Sequence, residues 1–206
     1  MKTDKISETV VRRLPIYLRH LYQLRKSNVQ TVSSHELGIK LDLNPAQIRK
    51  DLACFGEFGK KGIGYDVDYL IEKIRQILKL DRHINVALVG AGNLGRALCN
   101  YNVYQNDRMK IVAVFDKHPA KIGEVLNQLT VLPMTMLKET IRQMNIRIGI
   151  ITVPASEAQH VADQFAAAGV EALLNFAPVT IKVPESIRVH YADFTAELLS
   201  LAYYLD

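Results

Sequence analysis

From Ser7 to Leu24 the apolar residues Val10, Val11, Leu14, Tyr17, Leu18, Leu21 and Leu24 recur at steps of three and four. That spacing predicts one face of an amphipathic helix. Pro15 interrupts the run and predicts a kink or a restart. Ser33 or Ser34 can cap a second, short helix with Leu37 and Leu41 turned inward. Asn44 and Pro45 suit the cap and first turn of a third, over 46–55. Ile48, Leu52 and Phe55 share one face of it, leaving Gln47, Arg49, Lys50 and Cys54 elsewhere. A short helix, a tight turn and a helix with a Gln/Arg/Lys surface outline a helix-turn-helix. The next ten residues, Gly56 to Tyr65, hold four of the chain's 11 glycines together with Lys60 and Lys61. Read alone, they are a loop with solvated lysines. Placed directly after a basic helix, they predict a hairpin wing against a phosphate backbone or minor groove. A further helix is predicted over 66–80 from Val67, Leu70, Ile71, Ile74, Ile77 and Leu78.

Past residue 80 the pattern changes. The apolar run 84–89 predicts a buried strand and leads into Gly90-Ala91-Gly92-Asn93-Leu94-Gly95, then a helix over 96–101. A second strand, 110–115, ends at Asp116, which lies 21 residues past Gly95. A lone GxGxxG is a weak signal, but a strand before it and a helix after it are the context that dinucleotide binding requires. Gly90 makes the tight turn, Gly92 admits the pyrophosphate, and Gly95 lets helix and strand pack closely. Asp116 is the candidate for the ribose hydroxyls and would repel a 2′-phosphate, which favours NAD(H) over NADP(H). Strands are predicted over 129–132, 147–154, 171–174 and 187–191, with helices over 135–144 and 155–168, the latter stopped at Gly169. This alternation predicts an α/β fold with a Rossmann-type, doubly wound parallel sheet. Ligands bind at the carboxyl ends of such strands, so Thr152, Val153 and Pro154, and Asn175, Phe176, Ala177 and Pro178, should face the dinucleotide. In the last segment, Asp193 is the candidate cap. Phe194, Leu198, Leu201, Ala202 and Leu205 form a stripe so apolar that it must bury itself in its own domain or against a second chain.

Charge sharpens this division. Residues 1–80 hold 15 Lys and Arg against nine Asp and Glu, whereas 81–206 hold 11 against 12. A basic module joined to a neutral one points to a polyanion on the first. With 49% hydrophobic and 23% charged residues in 206, the chain is expected to be an ordinary globular one. No apolar run approaches a membrane span, and the N-terminus has no apolar core of a secretory signal. Cys54 and Cys99 match no metal spacing and fit a reducing cytoplasm. The predicted organisation is a winged helix-turn-helix domain over 1–80, a dinucleotide domain over 81–192 and a terminal helix over 193–206.

The two halves together resemble the Rex family of bacterial redox-sensing transcriptional repressors. The resemblance spans essentially the whole chain. It is carried by Gln47-Ile48-Arg49-Lys50-Asp51-Leu52, by Phe55 to Tyr65, by Gly90 to Gly95, and by Leu174-Asn175-Phe176-Ala177-Pro178. It implies a homodimer with exchanged C-terminal helices, bound to a palindromic operator in double-stranded DNA and released by NADH. It also implies a switch in which Asp193 passes between Arg19 and Tyr101, and a nicotinamide pocket entered by Phe194 of the neighbouring subunit. The expected DNA-contacting residues are Ser33, Ser34, Gln47, Arg49, Lys50, Lys60, Lys61 and Tyr65. The alternative class is an NAD-dependent dehydrogenase with a helical appendage. It would need an acid–base group and a substrate site. The six histidines, at 20, 35, 83, 118, 160 and 190, form no catalytic constellation, and little chain remains for a substrate domain. A pure interaction module would leave the nucleotide fingerprint unused. The reading is therefore a regulator that binds NADH and NAD⁺ and carries no catalytic or metal-ligating residues.

Overall fold

A computed structural model describes residues 6–56, 58–60, 63–101 and 109–205. It divides into two compact units, Met1–Arg82 and His83–Asp206.

In the first unit, α1 (Glu8–Lys26) is capped by Ser7, whose side chain accepts from Val10 N–H. The helix runs on through Pro15 rather than restarting. One ladder bond is lost there, and burial of Leu14, Tyr17, Leu18 and Leu21 on the same face offsets it. Strand β1 (Thr31–Val32) leads into α2 (Ser34–Leu41). Of the two candidate serines, Ser33 is the cap, and Glu36 closes a reciprocal capping box with it. Asn44 caps α3 (Pro45–Ala53), with Pro45 in the first turn as predicted. The wing is β2 (Gly59–Lys60) paired antiparallel with β3 (Gly64–Asp66), and β1 completes a three-stranded sheet on the other side of β3. Asp66 caps α4 (Val67–Ile77), which packs against α1. One core joins α1 to α4, with Tyr17, Leu37, Ile48, Leu52, Leu70 and Ile74 at its centre.

The second unit is a seven-stranded sheet in the order β10-β9-β8-β4-β5-β7-β6. Its strands are β4 (Ile84–Val89), β5 (Met109–Asp116), β6 (Val125–Leu126), β7 (Leu129–Pro133), β8 (Ile146–Ile151), β9 (Ala172–Asn175) and β10 (Arg188–Tyr191). The helices are α5 (Asn93–Tyr101), α6 (Leu137–Gln143), α7 (Ala155–Ala168) and the terminal α8 (Phe194–Ala202). All pairings are parallel except β6 with β7. Strand β6 is absent from the sequence pattern. It turns back through Asn127 and Gln128, both at positive φ (46° and 69°), as a two-residue hairpin. A glycine after Asn127 would have announced that turn, and Gln128 conceals it. Strand β4 is buried on both faces. Ala87 and Val89 join Phe115 and Phe165 on one side, while Val86 and Leu88 join Cys99 and Val114 on the other. From β4 the chain winds outward to β5 and β7, then returns to β8 on the opposite side. The switch in winding direction thus falls between β4 and β8, where open α/β sheets bind ligands.

Candidate nucleotide cleft and DNA-reading surface

The loop between β4 and α5 sits at that switch. Gly90 has φ +110°, and a side chain there would meet the Thr152 carbonyl oxygen at 2.5 Å. A Cβ on Gly95 would collide with the Gly90 carbonyl oxygen. Gly92 is different: a Cβ there would meet nothing within 4 Å. The loop is therefore packed at its two outer glycines and open at the middle one, the arrangement a pyrophosphate needs. The first N–H groups of α5, from Asn93 to Gly95, have no partner within the helix and carry its positive dipole end. Thr152 ties the two strands at the switch, because its hydroxyl lies 3.0 Å from Val89 O and 2.9 Å from Gly90 O.

A cleft of about 640 Å³ opens beside this loop. Six of the residues proposed from sequence to meet the dinucleotide, Gly90, Gly92, Asp116, Thr152, Val153 and Pro154, line it. So do Lys117, His118, Lys121, Met134 and, from α7, Glu157, His160, Val161 and Gln164, all of them additions to the expected set. The four α7 residues follow one helical stripe, at steps of three and four, so their spacing could have identified the face. Lys117 pairs with Glu157 at 2.8 Å.

Asp116 is only 6% exposed. One carboxylate oxygen accepts from His118 N–H at 2.8 Å. The other accepts from Ala91 N–H at 2.8 Å and Lys121 Nζ at 3.2 Å. Burial pushes this carboxyl up, but the His118 and Ala91 amides and the Lys121 ammonium outweigh it and hold the group below the usual aspartate range. Asp116 thus organises the Gly loop as well as facing the cleft. The N–H of Ala91, within the expected cofactor-binding loop, is spent on this bond.

The expected loop after β9 lies outside the cleft lining. Asn175 is 1% exposed and clamps its own loop: it accepts from Ala177 N–H at 3.0 Å and donates to Val179 O at 2.9 Å. It shapes the loop that presents Phe176 and Pro178. Ala177 is buried, and Pro178 is exposed.

On the first unit, Arg49 and Lys50 are exposed on α3. Arg49 donates to Ser34 Oγ at 2.9 Å, so these two expected contacts form one patch. Ser33 is occupied by its capping box. Gln47 is half-buried and donates to Asp51 at 2.6 Å. Tyr65, also among the expected DNA contacts, is 9% exposed and packs its ring in the core beneath the wing. Lys61 and the side chains of Lys60 and Tyr101 lie outside the described residues. Among the described residues no group of His, Cys, Asp and Glu is placed to hold a metal, and no helix is long and apolar enough to cross a membrane.

Two family models match the chain. One, described as "Putative DNA-binding protein N-terminus", covers residues 5–53, and the other, the CoA binding domain, covers 81–179. The redox-sensing transcriptional repressor Rex of Brevibacillus brevis is 59% identical over 204 residues, spanning 99% of both chains. The chain belongs to the Rex family. Rex of Chloroflexus aurantiacus is 46% identical over 99% of this chain and 96% of its own. Among solved structures, the Rex-family repressor RSP in complex with β-NAD⁺ and operator DNA superposes with a TM-score of 0.91. It is 36% identical, over 97% of this chain and 92% of that one. RSP with β-NADH gives 0.87 at 34% identity, over 98% and 94%.

The three residues expected to form the switch are distributed as follows. Arg19 is exposed on α1, and Tyr101 closes α5. Asp193 caps α8, accepting from Thr195 and Ala196 N–H at 2.9 and 3.1 Å. No residue of α8 is buried, and Phe194 is 74% and Leu199 69% exposed. Of the two expected fates of this apolar helix, completing its own domain is excluded for a single chain.

Proposed function

We infer that the chain is a homodimeric repressor that reads a palindromic operator through α3 and the wing and leaves it when NADH binds. The observation that carries this reading is the presence in one chain of a winged helix-turn-helix and of a Gly90–Gly95 loop open only at Gly92. RSP, a relative with the same two parts, has been crystallised with NAD⁺ and operator DNA and with NADH.

Arg49 and Lys50, with Lys60 and Lys61 of the wing, supply the charge that meets DNA, and Ser34 orients Arg49. The Gly92 opening and the first turn of α5 hold the pyrophosphate, Asp116 offers its remaining acceptor capacity to the ribose, and Thr152–Pro154 with the loop Asn175–Pro178 flank the remainder. NAD(H) brings a ring whose formal charge differs by one between its oxidised and reduced forms, and the chain senses that difference without turning the nucleotide over. The bare apolar face of α8 is covered by a second subunit, which brings Phe194 to the nicotinamide. Asp193 bonds Arg19 in one state and Tyr101 in the other. A ligand shifts such an equilibrium only by its differential affinity for the two states.

The test is selection of an operator from a randomised duplex pool, followed by gel shift with each nucleotide. Retardation that NADH abolishes and NAD⁺ leaves, with no NADH consumed, is the expected result. Operator binding indifferent to both nucleotides would overturn it.

A further inference from the structure

Outside the contacts already assigned to DNA, one carboxylate among the described residues of the reading unit is fully buried. Asp51 lies on α3 directly after Lys50 and is 0% exposed. Arg13 of α1 grips it with two bonds, Nε to one oxygen at 2.5 Å and a terminal nitrogen to the other at 2.8 Å. Tyr17, one turn further along α1, donates its hydroxyl at 2.6 Å, and Gln47 donates from within α3 at 2.6 Å. Four donors meet the roughly four acceptor positions of an ionised carboxylate. Apolar contacts such as Leu14 and Tyr17 against Ile48 and Leu52 tolerate small rotations, because dispersion is non-directional. A planar guanidinium fork on a planar carboxylate does not.

We propose that Asp51 is a positioning residue for DNA reading: clamped by Arg13 and Tyr17, it sets the rotation of α3 on α1. This rests on the reading of α3 as the recognition helix. Arg49 and Lys50 immediately precede the clamped residue, so a small turn of α3 about its axis would swing both off the base edges they face while leaving their charge beside the duplex. Helix α1 also carries Arg19, six residues beyond Arg13. With α3 clamped to it, a movement imposed on α1 reaches the recognition helix undiminished instead of dissipating in a loose helix pair.

The experiment compares the selected operator with a random duplex, for the full-length chain and for Asp51→Asn and Arg13→Lys, well below the melting temperature of each. Asp51→Asn replaces one acceptor oxygen by a donor. Arg13→Lys keeps the charge and loses the fork, and its partly exposed position lets it fold. Each variant is expected to lower the preference for operator over random duplex about tenfold, with random-duplex affinity within about twofold and NADH affinity unchanged. A residue needed only for stability would lower the melting temperature and leave that preference intact. Unchanged preference in the folded variants, or equal loss on both duplexes, overturns the proposal. A parent chain that prefers no operator refutes the proposed function itself, which keeps the two failures apart.

Discussion

Among the described residues each unit buries one aspartate beside its proposed functional surface, Asp51 in the reader and Asp116 in the nucleotide unit. Burial raises both carboxyls, and the donors around each outweigh it, so both sit below the usual aspartate range. The donors differ in kind. Asp51 is held by side chains, Arg13, Tyr17 and Gln47, two of them from a helix 34 and 38 residues away in sequence. Asp116 is held mainly by main-chain N–H groups, those of Ala91 and His118, with Lys121 added. A carboxylate held by the backbone comes with a motif, since any residue at position 91 offers the same N–H. A carboxylate held by side chains exists only if particular residues on another element are present, and it can therefore fix how two elements are set against each other.

The largest expected effect comes from emptying these two sites. Asp51→Ala leaves a guanidinium, a phenol and an amide without their acceptor and should cost the reader about 3 kcal/mol, as breaking a buried pair does. Asp116→Ala should cost about 1–2 kcal/mol, because Lys121 can turn to water and the principal loss is the buried Ala91 N–H. Amide hydrogen exchange resolves the two units in one experiment, and a larger loss at Asp116 would break the comparison. Both carboxyls have folded-state pKa values below the unfolded one. Their stabilisation is complete above about pH 4 and is lost as pH falls through the folded-state values, so the wild-type advantage over each variant should shrink below pH 4.

The second effect separates glycines that serve the fold from one that serves the ligand. Gly92→Val should leave the nucleotide unit folded, since a Cβ there meets nothing within 4 Å. It should weaken NADH about 100-fold, or about 2.7 kcal/mol, and leave operator binding intact but unresponsive. Gly95→Ala should instead destabilise the unit, because its Cβ strikes the Gly90 carbonyl oxygen. Calorimetric titration beside thermal melting distinguishes the two. If Gly92→Val binds NADH normally, the pyrophosphate lies elsewhere.

The contrast between the two aspartates also explains what is legible in the chain. Elements announced by local chemistry can be read directly: the caps at Asn44 and Asp193, the Gly90–Gly95 loop with its strand and helix, and Asp116 at its expected spacing. Each depends on residues close in sequence or on a motif of fixed geometry. The clamp on Asp51 is not legible, because nothing near Lys50 predicts that the next residue faces an arginine on α1. Asn175, read from its strand-end position as a ligand contact, is also a loop clamp that accepts from Ala177 N–H and donates to carbonyls, a second role its strand-end position does not announce. Tyr65 has the position of a DNA contact because it closes the wing motif. Its burial follows from strand alternation, which two- and three-residue strands are too short to display.

The smallest effect concerns α8, none of whose residues, unlike the two aspartates, is buried. Phe194 is 74% exposed at the start of that helix. NADH and NAD⁺ share their adenosine and pyrophosphate, so the proposed contacts at Gly92 and Asp116 would bind both alike and select neither. Only the ring differs, and moving a cation beside an apolar side chain removes it from water without compensation. A dimer that closes Phe194 over the ring therefore penalises NAD⁺ and leaves the neutral reduced ring unpenalised. In the proposed dimer, closing would also change the spacing of two reading heads, which a palindromic operator would fix geometrically. Phe194→Ala removes both the apolar packing that favours NADH and the desolvation that NAD⁺ suffers. NADH affinity should fall about tenfold, near 1.4 kcal/mol, while NAD⁺ affinity changes by about twofold or less. Calorimetric titration with each nucleotide reads the two numbers directly. Equal losses would mean that Phe194 packs against a part common to both nucleotides, and the selection would then have to come from Asp193 and its exchange between Arg19 and Tyr101.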